Sequence, residues 1–216
     1  MKIAAGSRLL FIGDSVTDAG RSRPVAEGLF DPLGKGYPNL VNGLLTARYP
    51  ERRIHVINMG SSGDTIRDLK ARWQTDVLDL HPDWLSIMIG VNDVWRQFDV
   101  PMMKDRHVLP GEYRETLEFL VSSTLPLLQG GLVLMTPYYM EPNTGDAMRA
   151  RMDEYGAICR EVAEKYQTLF VDTQAVFCEL LRHHHSSFFS WDRVHPNVPG
   201  HTALARAFLK AVDFEW

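Results

Sequence analysis

A chain of 216 residues with 45% hydrophobic content is long enough for one large domain with a sizeable core. Its 23 Lys and Arg against 27 Asp and Glu leave a net charge of -4, without the basic excess that grips a polyphosphate backbone, which argues against a nucleic-acid partner. Two cysteines, Cys159 and Cys178, are too few for a disulfide framework, and no window approaches the roughly 20 apolar residues of a membrane span.

In chain order, five short apolar runs read as buried strands: residues 8 to 13 (RLLFIG), 54 to 60, 84 to 90, 131 to 137 and 168 to 173. Between them, apolar residues recur at helical spacing, first as Leu40, Val41, Leu44 and Leu45, then as Ile66, Leu69, Trp73, Val77 and Leu80. Longer helical patterns follow in EYRETLEFLVSSTLPLL, MRARMDEYGAICREVAEKY, TQAVFCELLRHHH and GHTALARAFLKAV. Strand and helix alternate throughout, which predicts right-handed βαβ units and one parallel sheet of about five strands in a three-layer α/β/α sandwich. No linker divides the chain, so residues 1–216 are expected to form a single domain. The irregular stretch 21–38 follows the first strand and predicts an active-site wall or an oligomer contact. The amino-terminal MKIAAGSRLL lacks the apolar core of a secretory leader, so the expectation is a soluble, cytoplasmic protein.

In an open parallel sheet, ligands bind beyond the carboxyl ends of the strands, so the residues there carry the functional expectation. The first strand ends in GDS, at Ser15; the second in NMGSSGDT, with Gly60 and Gly63; the third in GVND, with Asn92. A late loop, SWDRVHPN, presents Asp192 and His195. A serine hydroxyl becomes a useful nucleophile at neutral pH only when a base takes its proton and a third group orients that base. Ser15, His195 and Asp192 supply those roles, and the backbone N–H groups of Ser15 and Gly63 with the side-chain amide of Asn92 supply three donors to an oxyanion. Taken singly, each residue has a plainer reading as a turn, a cap or a surface ion pair. Together, at strand ends, they favour a triad.

Four blocks, FIGDS, NMGSSGDT, GVND and DRVHPN, fall in this order across almost the whole chain and resemble the signature blocks of the SGNH hydrolases, also called the GDSL family. The resemblance implies a flavodoxin-like sheet in strand order 2-1-3-4-5, with the same five residues in the same roles. Val16 stands where the GDSL name has leucine, which touches no catalytic atom. The G-x-S-x-G elbow of the α/β-hydrolases is absent around Ser15.

For the substrate, Trp95, Tyr138 and Trp191 are the candidate contacts, with Tyr139, Phe188 and Phe189 near the same rim; flat aromatic faces suit sugar rings, and no aliphatic lid is evident. GDSVTDAGRSRPVAEGLFDPLGKGY, TIRDLKARW, SIMIGVNDVWRQFD, LMTPYY and SWDRVHPNVPGHTALARAFL are similar to the intracellular acetylxylan esterases of Gram-positive bacteria. That likeness implies removal of O-acetyl groups from acetylated oligosaccharides, no metal or organic cofactor, and a homo-oligomer built from dimers, up to an octamer. A lysophospholipase or thioesterase of the same fold, or a non-catalytic carbohydrate-binding protein, is the alternative.

Other features have plainer readings. His183, His184 and His185 point in different directions and lack a partner at ligand spacing, so no metal site is expected there. Asp14 and Asp18, beside Ser15, read as solvated or capping carboxylates. Trp73 reads as core.

Overall fold

The computed structural model describes every residue except Leu29. Its five strands are β1 (Arg8–Gly13), β2 (His55–Asn58), β3 (Trp84–Met88), β4 (Gly131–Met135) and β5 (Leu169–Val171). They form one parallel sheet in the order β2-β1-β3-β4-β5. The predicted runs are right, but β2 to β5 each stop two residues short of them at the carboxyl end, where the chain turns out of the sheet, and β2 and β5 start one residue later.

The helices among the described residues are α1 (Ser15–Asp18), α2 (Tyr37–Arg48), α3 (Ile66–Ala71), α4 (Trp73–Asp76), α5 (Val91–Asp99), α6 (Pro110–Thr124), α7 (Ala147–Tyr166), α8 (Thr173–Leu181) and α9 (Val198–Ala211). α2 and α9 pack together with α8 on one face, whereas α3, α5, α6 and α7 pack on the other. This double winding explains the all-apolar strands: Leu9, Leu10, Phe11 and Ile12 are fully buried because both faces of β1 are covered. Phe11 shows the α2/α9 side of that core, meeting Tyr37 edge-on and Phe208 at 4.9 Å between ring centroids. On the opposite side Trp73 is core, and its Nε1 donates to Thr124 Oγ1 at 2.9 Å.

The segments 21–28 and 30–36 lie by the β2 edge. Ala26 makes an isolated antiparallel bridge with Asn58, and the buried Asn58 amide donates to Thr17 O (2.7 Å) and Leu33 O (2.8 Å), binding this loop to the segment after Ser15. Gly60 must be glycine because a Cβ there would lie 2.2 Å from Asp18 N. Among the described residues no helix is long and apolar enough to cross a membrane.

Candidate active site

The strand order reverses between β1 and its two neighbours β2 and β3, which makes the carboxyl end of β1 the topological switch point, where neighbouring loops diverge and leave a crevice. Ser15 opens α1 at that point. The buried Asp14 caps the short helix, its Oδ1 accepting from Val16 N at 3.0 Å. As the first residue of a helix, Ser15 has an N–H without an intrahelical acceptor.

The loop after β2 is drawn to the same place. Ser61 N donates to Gly13 O at 2.9 Å, and Arg72 reaches back from the end of α3 to donate to Met59 O (2.7 Å) and Gly13 O (3.1 Å) while pairing with Asp64 and Asp76. Within that loop Gly63 has φ +88°, a conformation that L side chains rarely adopt, although the space a Cβ would occupy is open. The glycine is therefore required by the backbone rather than by crowding. No acceptor takes its N–H among the described residues.

Asn92 enters from the start of α5, directly beyond β3. It is buried; one amide hydrogen goes to Asp64 O at 2.9 Å, its Oδ1 accepts from Arg96 at 3.2 Å, and the second amide hydrogen is left over. That bond to Asp64 sets Asn92 beside the Gly63 loop.

The fourth segment lies off the sheet, between α8 and α9. His195 Nε2 is 2.7 Å from Ser15 Oγ, and His195 Nδ1 is 2.6 Å from Asp192 Oδ2. With Nδ1–H donating to the carboxylate, Nε2 is the acceptor for the serine hydroxyl. The other Asp192 oxygen accepts from Ser190 Oγ, Val194 N and His195 N at 2.8, 3.0 and 2.8 Å. Burial alone would raise the Asp192 pKa, but these bonds to its charged form outweigh it and the net shift is downward. A serine, an imidazole and an ionised carboxylate thus stand in hydrogen-bonding series, next to N–H groups with nothing to donate to.

The aromatic candidates divide. Trp95 is half-buried with its ring 6.0 Å from that of His195, so the structure brings it to the site. Trp191 is 87% exposed beside Asp192 on the chain. Tyr138 corrects the expectation of a sugar contact: it is 3% exposed, its ring lies 4.2 Å from Phe177, and its hydroxyl donates to Val194 O at 2.8 Å. It supports the His195 loop from beneath. Phe189 is also buried, whereas Phe188 is exposed and stacks on His184. Cys159 is buried and Cys178 is partly so.

Sequence reasoning missed how deeply carboxylates are buried here. Asp14 is not solvated; burial pushes its pKa up to about 7 against the Val16 N–H bond and His195. Asp18, likewise buried, is held below its ordinary value despite burial, because Arg23 and Ser62 bind the charged form. Asp93 is fully buried, and burial pushes it up to about 7 as well.

Residues 11–203 match the GDSL-like Lipase/Acylhydrolase family. The chain is 56% identical over 216 residues to an acetylxylan esterase of Geobacillus stearothermophilus, covering 100% of this chain and 98% of that protein. The crystal structure of Axe2, an acetylxylan esterase from the same organism, superposes with TM-score 0.98 at 56% identity, over 100% of this chain and 98% of the other. LAE5, an alpha/beta hydrolase enzyme from the metagenome of Lake Arreo, matches with TM-score 0.97 at 54% identity, covering 99% and 98% of the two chains. With its four sequence blocks meeting at one switch point, this chain belongs to the GDSL-like lipase/acylhydrolase family.

Proposed function

We propose that the protein is a serine esterase that removes O-acetyl groups from acetylated xylo-oligosaccharides and other small acetylated sugars. The observation that carries the reading is the hydrogen-bonded series Ser15–His195–Asp192 at the switch point, in a chain 56% identical to an acetylxylan esterase. Ser15 Oγ attacks the acetyl carbonyl as His195 Nε2 takes its proton. The negative oxygen is received by Ser15 N–H, Gly63 N–H and the free amide hydrogen of Asn92. His195 then gives the proton to the sugar oxygen, the C–O bond breaks, and an acetyl-enzyme remains. Water, deprotonated by His195, attacks it; acetate leaves and Ser15 recovers its proton.

Short acyl groups and polar leaving groups are part of the same reading. A cleft of about 440 Å³ beside Gly63, lined by Thr65, Arg67, Asp68, Arg96, Asp105 and Arg106, suits a polar leaving group. Trp95 and Trp191 are the side chains proposed for sugar contact. A homo-oligomer built from dimers, up to an octamer, is part of the same reading and is supported by large exposed apolar groups at Trp191, Phe188 and Trp216, which sedimentation analysis will test. A cytoplasmic location is supported by the two free thiols.

The deciding test is Ser15→Ala. The variant folds with unchanged Tm and releases no acetate from acetylated xylo-oligosaccharide above background; retained turnover discards the nucleophile. Independently, kcat/KM falls from acetyl to octanoyl p-nitrophenyl esters, and the opposite order discards the short-chain assignment.

A further inference from the structure

Asn92 and Asp93 are consecutive, and both hold the segment that carries Gly63. The Asn92 amide donates to Asp64 O at 2.9 Å, on one side of Thr65; Asp93 Oδ1 accepts from Ile66 N at 3.0 Å, on the other. Ile66 is the first residue of α3, so its N–H has no intrahelical acceptor, and the Thr65/Asp68 capping box serves other donors of that turn. Asp93 is fully buried, its Oδ1 accepts from Ile66 N, and its Oδ2 has no partner among the described residues. An orphaned buried carboxyl oxygen costs stability, so the acidic side chain is not explained by stability alone.

We propose that Asp93 is a positioning residue: by clamping the start of α3 to the residue after Asn92, it fixes the Gly63 N–H relative to the Asn92 amide, so that both donors aim at one oxygen. The inference rests on the esterase reading above. Ser61 N on Gly13 O, Ser62 on Asp18 and Arg72 on the Asp64 carboxylate anchor the loop to β1, α1 and the end of α3, and the bonds at Asp64 O and Ile66 N tie it to the start of α5 at two points; without the Ile66 bond a single tie to α5, that of Asn92, remains. Because misaimed donors weaken only the interaction with the developing oxyanion, the loss falls on the transition state and not on ground-state binding.

The test compares Asp93→Asn, which keeps an acceptor for Ile66 N, with Asp93→Leu, which keeps the volume and removes the acceptor; Asp93→Ala serves if the leucine variant does not fold. On p-nitrophenyl acetate, Asp93→Leu loses about 30-fold in kcat. Its affinity for an aryl trifluoromethyl ketone, which adds the serine and places an oxyanion in the hole, falls by a comparable factor. Inhibition by unacetylated xylobiose stays within about twofold, and Asp93→Asn keeps at least about half of the wild-type kcat. The proposal is overturned if the leucine variant keeps kcat within about threefold, if ketone and xylobiose weaken equally, if the asparagine variant is as impaired as the leucine one, or if neither acceptor-free variant folds. Ser15→Ala in parallel separates the two claims: activity surviving there removes the esterase mechanism itself, whereas an inactive Ser15→Ala with a fully active Asp93→Leu removes only the clamp.

Discussion

The two halves of the site are built by different means. The proposed donors Ser15 and Asn92 lie just beyond β1 and β3, and Gly63 sits in the loop after β2, so the sheet brings all three to one edge while a few side-chain bonds set their aim. Asp192 and His195 sit on a loop between α8 and α9, where no ladder reaches. Their placement is made mainly of side-chain bonds, four to the Asp192 carboxylate, Tyr138 to Val194 O and an Arg193–Glu141 ion pair, with one backbone bond from Met140 N to Arg193 O at 2.9 Å. A donor carried beyond a strand end keeps its approximate place when one neighbour is lost and suffers only in its aim, whereas the proposed base on the loop owes its very place to its polar partners.

The strongest way to break that contrast is at the loop. Asp192→Asn removes the ionised acceptor that selects the Nδ1–H tautomer of His195, leaving Nε2 without the lone pair that Ser15 needs. The expected loss in kcat is about 10⁴, with the fold retained. On the sheet side Asn92→Ala deletes one of the three proposed oxyanion donors together with its bond to Asp64 O, while Asp93 still holds Ile66 N, for a loss of about 10² to 10³ in kcat and little change in KM. Steady-state kinetics on one acetyl ester ranks the two; equal losses would mean that the sheet-held donors are not independently supported.

The halves also differ in their carboxylates. Asp192, on the loop, is ionised and held below its ordinary range, so it contributes stability above its unfolded pKa that is lost as pH falls through its folded one. Asp14, behind Ser15, is 2% exposed with burial pushing it up to about 7. A folded pKa above the unfolded one works the other way: no cost below about 4, then a progressive loss of stability as pH rises to about 7. Asp14→Asn keeps the cap on Val16 N and cannot ionise. Its Tm matches wild type near pH 4 and exceeds it at pH 8, by a stability gain on the order of 2 kcal/mol once relaxation around the buried group is allowed for. A gap that fails to widen between those two pH values removes Asp14 as the source.

Much of this was legible in the chain because parallel strands covered on both faces leave unbroken apolar runs, and because the site uses residue types with narrow chemistry at their carboxyl ends. The parallel sheet and the triad and oxyanion candidates follow from those patterns, and the strand order from the family that the four blocks resemble. The supporting shell did not. Arg72 carries no functional signal in the sequence, yet it donates to Gly13 O and Met59 O, carbonyls that no side-chain pattern marks. Asp93 reads as a loop cap, and its partner Ile66 N lies 27 residues away. Tyr138 and Tyr139 are indistinguishable in sequence; only the packing of Tyr138 on Phe177 shows which one turns inward.

Tyr138→Phe is therefore the finest test of a loop held by side chains. Phenylalanine keeps the contact with Phe177 and removes the hydroxyl bonded to Val194 O, one residue before His195. The buried carbonyl then lacks that partner, which costs about 1 kcal/mol in stability. The Asp192 carboxylate still holds Val194 N and His195 N, so the imidazole shifts little and kcat falls about threefold. KM for acetylated xylo-oligosaccharide stays at the wild-type value because the phenol lies under the loop, out of reach of the sugar. A rise in KM with kcat unchanged would return Tyr138 to the substrate wall; unchanged kcat and Tm together would show that the loop has a margin of rigidity that this bond does not supply.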